Sequence, residues 1–268
     1  MSTIAERIPL YIPPTDNGDQ PGQSVYCRAV THRGLVRLHN EDAFCVLSKE
    51  NRRLFAVADG LGGHRGGSIA SQIAIDTVKS EFGKWNGKGN DRFVTKTIQS
   101  ANMEIFSTAQ SHPELFSMQT TATVVALEKD SMAIGHVGDC RLYRVRNGRV
   151  AMLTKDHSQA AELLRLHLVS PEEAQQHPGR HQLTRSVGSS PFLRVDLIKE
   201  KVNPGDTYIL CSDGLWSEVS NEAMRDALLD NDIGKSLEEL VGMVLNAGAP
   251  DNITGVLFRI NKIIGVIR

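Results

Sequence analysis

Five short segments of this chain share one arrangement, in which a carboxylate stands at the edge of an apolar, strand-like run. In FAVADG (55–60) and YILCSDG (208–214) the acids Asp59 and Asp213 directly follow such a run and precede a glycine. The other segments are IGHVGDC (134–140) with Asp139, APDNITGV (249–256) with Asp251, and HNEDAFCV (39–46) with Glu41 and Asp42. A lone Asp-Gly pair is typical of a turn. Spacing alone does not show that these strand ends meet.

If the strand ends do meet, four or five carboxylates share a small volume. Like charges at such distances cannot all stay ionised without a countercharge, which metal ions supply. Carboxylate and water oxygens suit Mg²⁺ and Mn²⁺ in octahedral geometry and do not suit zinc or copper. The pattern therefore favours a magnesium or manganese site, on the condition that the strands converge.

The glycine-rich segment FAVADGLGGHRGGSIAS (55–71) also allows a nucleotide-binding interpretation, because backbone amides in such loops can hold phosphate. A G-x-G-x-x-G frame starting at Gly60 fails because Arg65 stands in the place of the last glycine. No G-K-[ST] sequence follows either. A nucleotide site is therefore disfavoured.

Composition restricts the class of protein. The chain has 268 residues, a net charge of −1 and four scattered cysteines with no C-x-x-C pair. These values fit one enzyme-sized domain, argue against binding nucleic acid through bulk charge, and suit a reducing, cytoplasmic compartment. No apolar run is long enough to cross a membrane. We expect residues 1–23, rich in proline and glycine, to form a flexible extension before a single catalytic domain over 24–268.

Periodicity predicts grouped strands and grouped helices. Apolar residues with helical spacing predict two long helices, starting near Ser68 and Asp91, and a further helix over Leu237–Ala247. Asn147-Gly148 predicts a hairpin, and Ser170-Pro171-Glu172-Glu173 predicts a helix start inside a polar, flap-like insert near 159–180. The predicted strands are Leu54–Ala58, Thr121–Leu127, Met132–Val137, Tyr208–Cys211 and Ile253–Ile260. This order favours an α+β fold with helices on largely antiparallel sheets.

A set of motifs, in one order along residues 25 to 260, resembles the metal-dependent protein phosphatases of the type 2C family in their compact bacterial form. The motifs are RLHNED (37–42), VADGLGGHRGG (57–67), TTAT (120–123), HVGDCRLYRVRNG (136–148), LTKDHS (153–158), LTRSVG (183–188), CSDGLWS (211–217) and APDNIT (249–254). Each motif is weak alone, whereas the ordered set is specific.

The resemblance implies a sandwich of two mostly antiparallel β-sheets flanked by α-helices, with the metal site at one edge. It implies two Mn²⁺ or Mg²⁺ ions bridged by Asp59, and it allows a third, weaker ion. The implied ligands are Glu41 and the carbonyl of Gly60 for one ion, Asp213 and Asp251 for the other, and Asp139 with Asp213 for the third. Asp42 matches an acid that contacts metal-bound water.

The implied activity is the hydrolysis of phosphoserine and phosphothreonine in proteins by a metal-bridging hydroxide, with Arg37 gripping the substrate phosphate. The proton for the leaving alkoxide would come from a metal-bound water or from His64. His157 is a further candidate, although its motif reads as structural. The implied partners are a phosphorylated protein and a cognate Ser/Thr kinase, and we expect a monomer that binds neither nucleic acid nor a membrane.

Two other functions remain open on the sequence. A two-metal hydrolase of small phosphate esters would use the same chemistry. A non-catalytic phosphoprotein-binding module would keep Arg37 and could lose metal ligands, and the presence of Asp59, Asp213 and Asp251 counts against it.

Overall fold

The computed structural model describes residues 24–62, 65–230 and 232–262. The strands are β1 (Val25–His32), β2 (Asp42–Lys49), β3 (Arg52–Leu61), β4 (Gln119–Thr120), β5 (Ala122–Glu128), β6 (Ser131–Val137), β7 (Arg141–Arg146), β8 (Arg149–Met152), β9 (Asp196–Lys201), β10 (Thr207–Cys211) and β11 (Ile253–Ile260). The α-helices are α1 (Gly66–Lys84), α2 (Asn90–Ser111), α3 (Gln159–Arg165), α4 (Pro171–Gln176), α5 (Asp213–Trp216), α6 (Asn221–Leu228) and α7 (Ile233–Asn246).

The strands form two sheets whose neighbouring strands pair antiparallel. Sheet 1 has the order β1-β11-β10-β7-β8. Sheet 2 has the order β2-β3-β5-β6-β9, with β4 beside the end of β3. The predicted α+β sandwich of antiparallel sheets is confirmed.

Strand β3 shows how the layers are stacked. Leu54 and Ala56 on one face belong to the apolar core that sheet 2 shares with α1 and α2. Phe55 on the other face belongs to the core between the sheets, where its ring stacks on Phe258 of β11 with centroids 4.0 Å apart. A third core lies between sheet 1 and the helices α6 and α7. The molecule therefore has four layers, helix–sheet–sheet–helix, and β3 is buried on both faces, as its continuous apolar run predicts.

The two long predicted helices are confirmed as α1 and α2, which pack on sheet 2. The predicted helix over Leu237–Ala247 is confirmed as α7, but it begins earlier, at Ile233. The reason is that the Asp232 side chain accepts hydrogen bonds from the amides of Gly234 and Lys235, which caps the first turn.

The hairpin and the insert also form as predicted. Asn147 and Gly148 both have positive φ, 51° and 72°, which suits the two-residue turn between β7 and β8. The insert holds α3 and α4, and Ser170 with Glu173 makes a reciprocal capping box at the start of α4. Its role as a flap stays a prediction.

Two Asp-Gly pairs do not form the turn that is typical of such a pair. Gly60 does not turn the chain, because β3 continues to Leu61 and Gly60 pairs with Thr120 of β4. Asp213 does not enter a glycine turn but begins the one-turn helix α5. At both places a tertiary neighbour determines the backbone conformation. At Gly60 the neighbour is the short strand β4, and at Gly214 it is the segment that precedes β11.

Two predictions fall on residues outside the described ranges, namely the flexible extension over residues 1–23 and the position of His64. The single catalytic domain over 24–268 also stays a prediction. Within the described ranges, helices long and apolar enough to span a bilayer are absent.

Candidate metal centre

The predicted carboxylates converge where the two sheets share an edge. Pairing of β2 with β3 places Asp42 opposite Asp59 in sheet 2. In sheet 1, the Ser212 amide donates to the Thr254 carbonyl at 3.0 Å, which holds the start of α5 beside the start of β11. The Ser212 hydroxyl donates to Asp42 Oδ2 at 2.7 Å and thereby links the two sheets. The strand ends therefore meet, which the sequence alone could not establish.

Hydrogen bonds to the backbone of Glu41 hold this residue in place, and Gly67 leaves room for its carboxylate. Its carbonyl accepts hydrogen bonds from the Gly60 amide at 3.2 Å and from the Ser71 hydroxyl at 2.6 Å. A Cβ on Gly67 would lie 2.6 Å from Glu41 Oε2, and a Cβ on Gly60 would clash with the Gly67 carbonyl. Glycine is therefore required at positions 60 and 67 for the end of β3, the start of α1 and the Glu41 carboxylate to approach each other.

The carboxylate of Asp59 lies close enough to four other carboxylates to be repelled by them. Burial raises the pKa of Asp59 well above its ordinary value, and repulsion from Asp42, Asp213, Asp139 and Asp251 raises it further. Burial also raises the pKa of Asp42 to about 7, against the opposing effect of hydrogen bonds from Ser212 and Thr254. Such a group of acids favours a bound cation, which would restore the charged form of each ligand.

Asp139 is a further buried acid of this group. It is 4% exposed, and no side chain in the described part of the molecule donates a hydrogen bond to its carboxylate. Burial and the nearby Asp213 raise its pKa well above the ordinary value. Five carboxylates offer an all-oxygen donor set here, so the residues fit Mg²⁺ or Mn²⁺.

Arg37 lies at the rim of this centre. Its Nη2 donates to Asp251 Oδ2 at 2.6 Å, and about half of its side chain, 53%, is exposed. The guanidinium is therefore next to the carboxylates and accessible from solvent, which suits the capture of an incoming phosphate.

His157 does not reach the carboxylates. Its Nδ1 accepts a hydrogen bond from the Gly138 amide at 3.0 Å, and its Nε2 contacts Arg185 and Asp196. It is buried and fully engaged, in line with a structural role for its motif.

His181 belongs to the site and was missed by the sequence reasoning. Its Nδ1 lies 3.1 Å from Asp213 Oδ2, and ligand atoms of Asp139, His181 and Asp213 all lie within 4.8 Å of one another. The ring packs parallel to that of Trp216 with centroids 6.0 Å apart. A histidine after a polar helical insert carries no periodic or motif signal, so only the fold reveals it.

Comparison with known proteins agrees with this geometry. The family model for protein phosphatase 2C matches residues 32–256. A serine/threonine phosphatase, stp, of Listeria welshimeri is 35% identical over 237 residues, covering 86% of this chain and 94% of the relative. The chain belongs to the protein phosphatase 2C family.

Solved structures agree as well. The Mycobacterium tuberculosis serine/threonine phosphatase PstP superposes with a TM-score of 0.82 and 32% identity, over 88% of this chain and 99% of that one. The catalytic domain of PstP in complex with two manganese ions superposes with a TM-score of 0.80 and 30% identity, over 89% and 99%. The fold shared with these proteins is the α+β sandwich described above.

Proposed function

We propose that this chain is a metal-dependent phosphoprotein phosphatase that hydrolyses phosphoserine and phosphothreonine. One observation carries the proposal: five carboxylates from both sheets converge beside an exposed arginine, in a chain of the protein phosphatase 2C family. The presence of two manganese ions in the PstP catalytic domain supports a binuclear centre here.

The residues divide into two ligand groups. Glu41, Asp59 and the Gly60 carbonyl would hold one cation, and Asp59, Asp213 and Asp251 would hold the other. Asp42 would orient water. The Ser212 hydroxyl, which donates to Asp42 Oδ2 at 2.7 Å, would hold this carboxylate in place. Two such cations supply Lewis acidity to water and to the phosphate, and they offset the charge of the carboxylates.

The protein's own groups bind and orient the substrate. Arg37 would hold two phosphate oxygens with its fork of N–H donors. Hydrolysis adds water at phosphorus and breaks the bond from phosphorus to the serine or threonine oxygen, which must then gain a proton. His64 remains a proposed donor of that proton. His157 is excluded from this role by its buried contacts with Gly138, Arg185 and Asp196.

The loop around Arg37 favours a polypeptide substrate over a small phosphate ester. Leu35, Val36 and Leu38 are 61%, 67% and 80% exposed. The loop backbone is nevertheless anchored, because the Leu35 amide donates to the Ala249 carbonyl at 2.9 Å. Anchored apolar side chains on both sides of a phosphate-binding arginine suit a substrate with chain on both sides of its phosphate.

The wider setting is also part of the proposal. A phosphoprotein phosphatase of this kind would oppose a Ser/Thr kinase, act as a monomer and work in the cytoplasm. The cysteines support a reducing compartment, because Cys45, Cys140 and Cys211 are free thiols and all four cysteines, Cys27 included, are buried.

The test uses metal-stripped protein with a phosphothreonine peptide and with p-nitrophenyl phosphate, each with and without Mn²⁺. We expect Mn²⁺-dependent release of phosphate from the peptide, lost in Asp59→Asn. Release from the small ester but never from peptides would favour the small-ester hydrolase. Peptide binding without release would favour the binding module.

A further inference from the structure

We propose that Arg33 selects substrates by binding an acidic side chain close to the phosphorylated residue, so that the site prefers acidic phosphopeptide segments. The inference rests on the phosphatase function proposed above, in which Arg37 binds the phosphate. It adds a second anion-binding side chain on the same loop and, with it, a class of substrate.

The Arg37 loop, which comprises residues 33–41 between β1 and β2, has two faces of different chemistry. Its one acid, Glu41, lies against Gly67 at the metal centre. Arg33, Arg37 and His39 are exposed, and the remaining exposed side chains of the loop are apolar. The face that meets an incoming substrate is therefore basic and apolar, although the whole chain has a net charge of −1.

The guanidinium of Arg33 is available to bind a carboxylate. In the described part of the chain its one hydrogen bond runs from Nη1 to the Leu38 carbonyl, at 3.3 Å. The edge formed by Nε and Nη2, which can hold a carboxylate with two parallel hydrogen bonds, is left for a ligand. The arginines of β7 differ, because Arg141, Arg144 and Arg146 each bind a carboxylate of the protein itself.

The backbone that carries Arg33 is held in place before any substrate arrives. The Arg33 carbonyl accepts a hydrogen bond from Asn252 Nδ2 at 2.8 Å, and the Gly34 amide donates to His32 Nδ1 at 2.9 Å. Gly34 has a φ of +79°, and a Cβ there would lie 2.2 Å from the Asp251 carbonyl oxygen. A backbone fixed in this way reduces the entropy that the loop loses when it binds a ligand.

The position of Arg33 sets the distance between the two anions of the substrate. Its guanidinium contacts the carbonyl of Leu38, which is the residue after Arg37. The two arginines are therefore separated by roughly three or four residues of extended polypeptide. Asp251 adjoins the loop but is already paired with Arg37 at 2.6 Å, so its charge is opposed within the protein.

The experiment compares phosphothreonine peptides that differ at one position, three residues before or three residues after the phosphothreonine. That position holds glutamate, glutamine or lysine, and kcat/KM is measured in Mn²⁺ for each peptide. For the wild type we expect glutamate to be favoured over glutamine about threefold to tenfold on one side, and lysine to be disfavoured. Because the contact is exposed to solvent, the preference should shrink as the salt concentration rises.

Variants of Arg33 test whether this side chain is the source of the preference. Arg33→Ala should bring the ratio of kcat/KM between the glutamate and glutamine peptides close to one. Arg33→Glu should reverse the order, so that the lysine peptide becomes the best of the three, and damage to the loop cannot produce such a reversal. The matched control is Arg149→Ala, an exposed arginine in the hairpin at the far end of β7, which should keep the wild-type ratio.

The outcomes separate this inference from the function on which it rests. A wild type that releases phosphate equally well from all the peptides, or an Arg33→Glu variant that still favours glutamate, would overturn the role of Arg33. Loss of the preference in Arg149→Ala would also overturn it, because a remote charge would then have the same effect. Release from none of the peptides by the wild type would instead contradict the phosphatase function.

Discussion

Asn252 holds the backbone of Glu41: the amide of Glu41 donates to Asn252 Oδ1 at 2.8 Å. The other end of the same side chain donates to the carbonyls of Arg33 at 2.8 Å and His39 at 2.9 Å. One buried amide at the entrance to β11 therefore fixes the whole loop that carries Arg37 and Glu41. The loop between β1 and β2 is thus positioned by a residue that lies 211 positions from Glu41 in the chain, at the start of β11 in sheet 1.

Replacing Asn252 by aspartate should disturb this loop and the metal centre together. Asn252→Asp removes both N–H donors, leaves two carbonyls without partners and adds a negative charge, so we expect a loss of about 2 kcal/mol in the free energy of unfolding. Urea unfolding measures that loss, and Mn²⁺ affinity should fall with it. Asn203→Asp, at an exposed turn, is the control; equal effects in both variants would show that Asn252 has no special role.

Asp59→Asn should abolish phosphate release but stabilise the metal-free protein. Burial, and then repulsion from the neighbouring acids, raises the pKa of Asp59, so folding the metal-free chain at neutral pH carries the cost of burying or protonating this carboxylate. Asparagine cannot ionise and carries no such cost. Mn²⁺ at a hundred times its dissociation constant should stabilise the wild type by about 2.7 kcal/mol and the variant by far less. Thermal unfolding in EDTA and in Mn²⁺ measures both effects. A variant as strongly stabilised by Mn²⁺ as the wild type would contradict the bridging role of Asp59.

Arg37→Ala should weaken capture of the phosphate while leaving the fold intact. Loss of a charged, bidentate contact should cost on the order of 2 kcal/mol, seen as a roughly thirtyfold lower kcat/KM for the phosphopeptide. Arg37→Lys should recover only part of this, because lysine cannot form the fork. The control is Arg92→Ala on the exposed face of α2. Unchanged kinetics in Arg37→Ala would make Arg37 an ordinary surface residue.

The apolar residues around Arg37 should matter for peptides and not for small esters. Leu38→Ser removes an 80% exposed apolar side chain, so folding should be little affected. We expect KM for a phosphopeptide with apolar flanking residues to rise about threefold to tenfold, corresponding to about 1 kcal/mol of lost burial. The rate with p-nitrophenyl phosphate should stay unchanged. Phe192→Ser, which alters a residue 90% exposed after the insert, is the control; an equal effect there would contradict a specific role of the Arg37 loop.

Stability should fall in mild acid because of a buried neutral histidine. Burial, with the neighbouring His157 as a lesser cause, lowers the pKa of His136 to about 3. Its ring contacts the Thr123 hydroxyl at 2.8 Å and the Lys155 carbonyl at 3.1 Å. The unfolded chain takes up a proton near pH 6.5 and the folded protein does not, so stability is complete above that pH and declines below it.

From pH 7 to pH 5 this single histidine should lower the free energy of unfolding by about 2 kcal/mol. His157, whose pKa burial also lowers, acts in the same direction. Denaturant titrations at several pH values give the slope, and His136→Gln should flatten it. A wild-type slope that does not differ from that of His136→Gln would refute the assignment.

The parts of the fold that the sequence predicted are those where one local signal dominates. The continuous apolar run of β3, the Asn147-Gly148 hairpin and the capping box at Ser170 each specify a local structure without help from distant residues. Strand β9 was missed because its residues alternate between half-buried and exposed and include three charged side chains after Asp196. Such a sequence becomes a strand only because β6 offers a free edge.

The residues of the site could be predicted from the sequence, but their convergence in space could not. The ligand residues came from a resemblance, because spacing could not say that strand ends as far apart in the chain as Glu41 and Asp251 meet. Neither Asn252 as an anchor nor His181 as a neighbour of Asp213 has a local signature. Both act through contacts with residues far away in the chain, which only the docking of the two sheets creates.

The position of β11 has a consequence for how the protein is made. This strand comes last among the described elements, yet it lies between β1 and β10 inside sheet 1. While the ribosome is still translating the chain, β1 and β10 expose unpaired apolar edges, and Asp251 and Asn252 are not yet in place. Because a domain folds as a unit, sheet 1 is completed only when β11 pairs with both of these neighbours. We therefore expect a chain whose synthesis stops before β11 to lack Asp251 and Asn252 at the site and to show no metal-dependent activity.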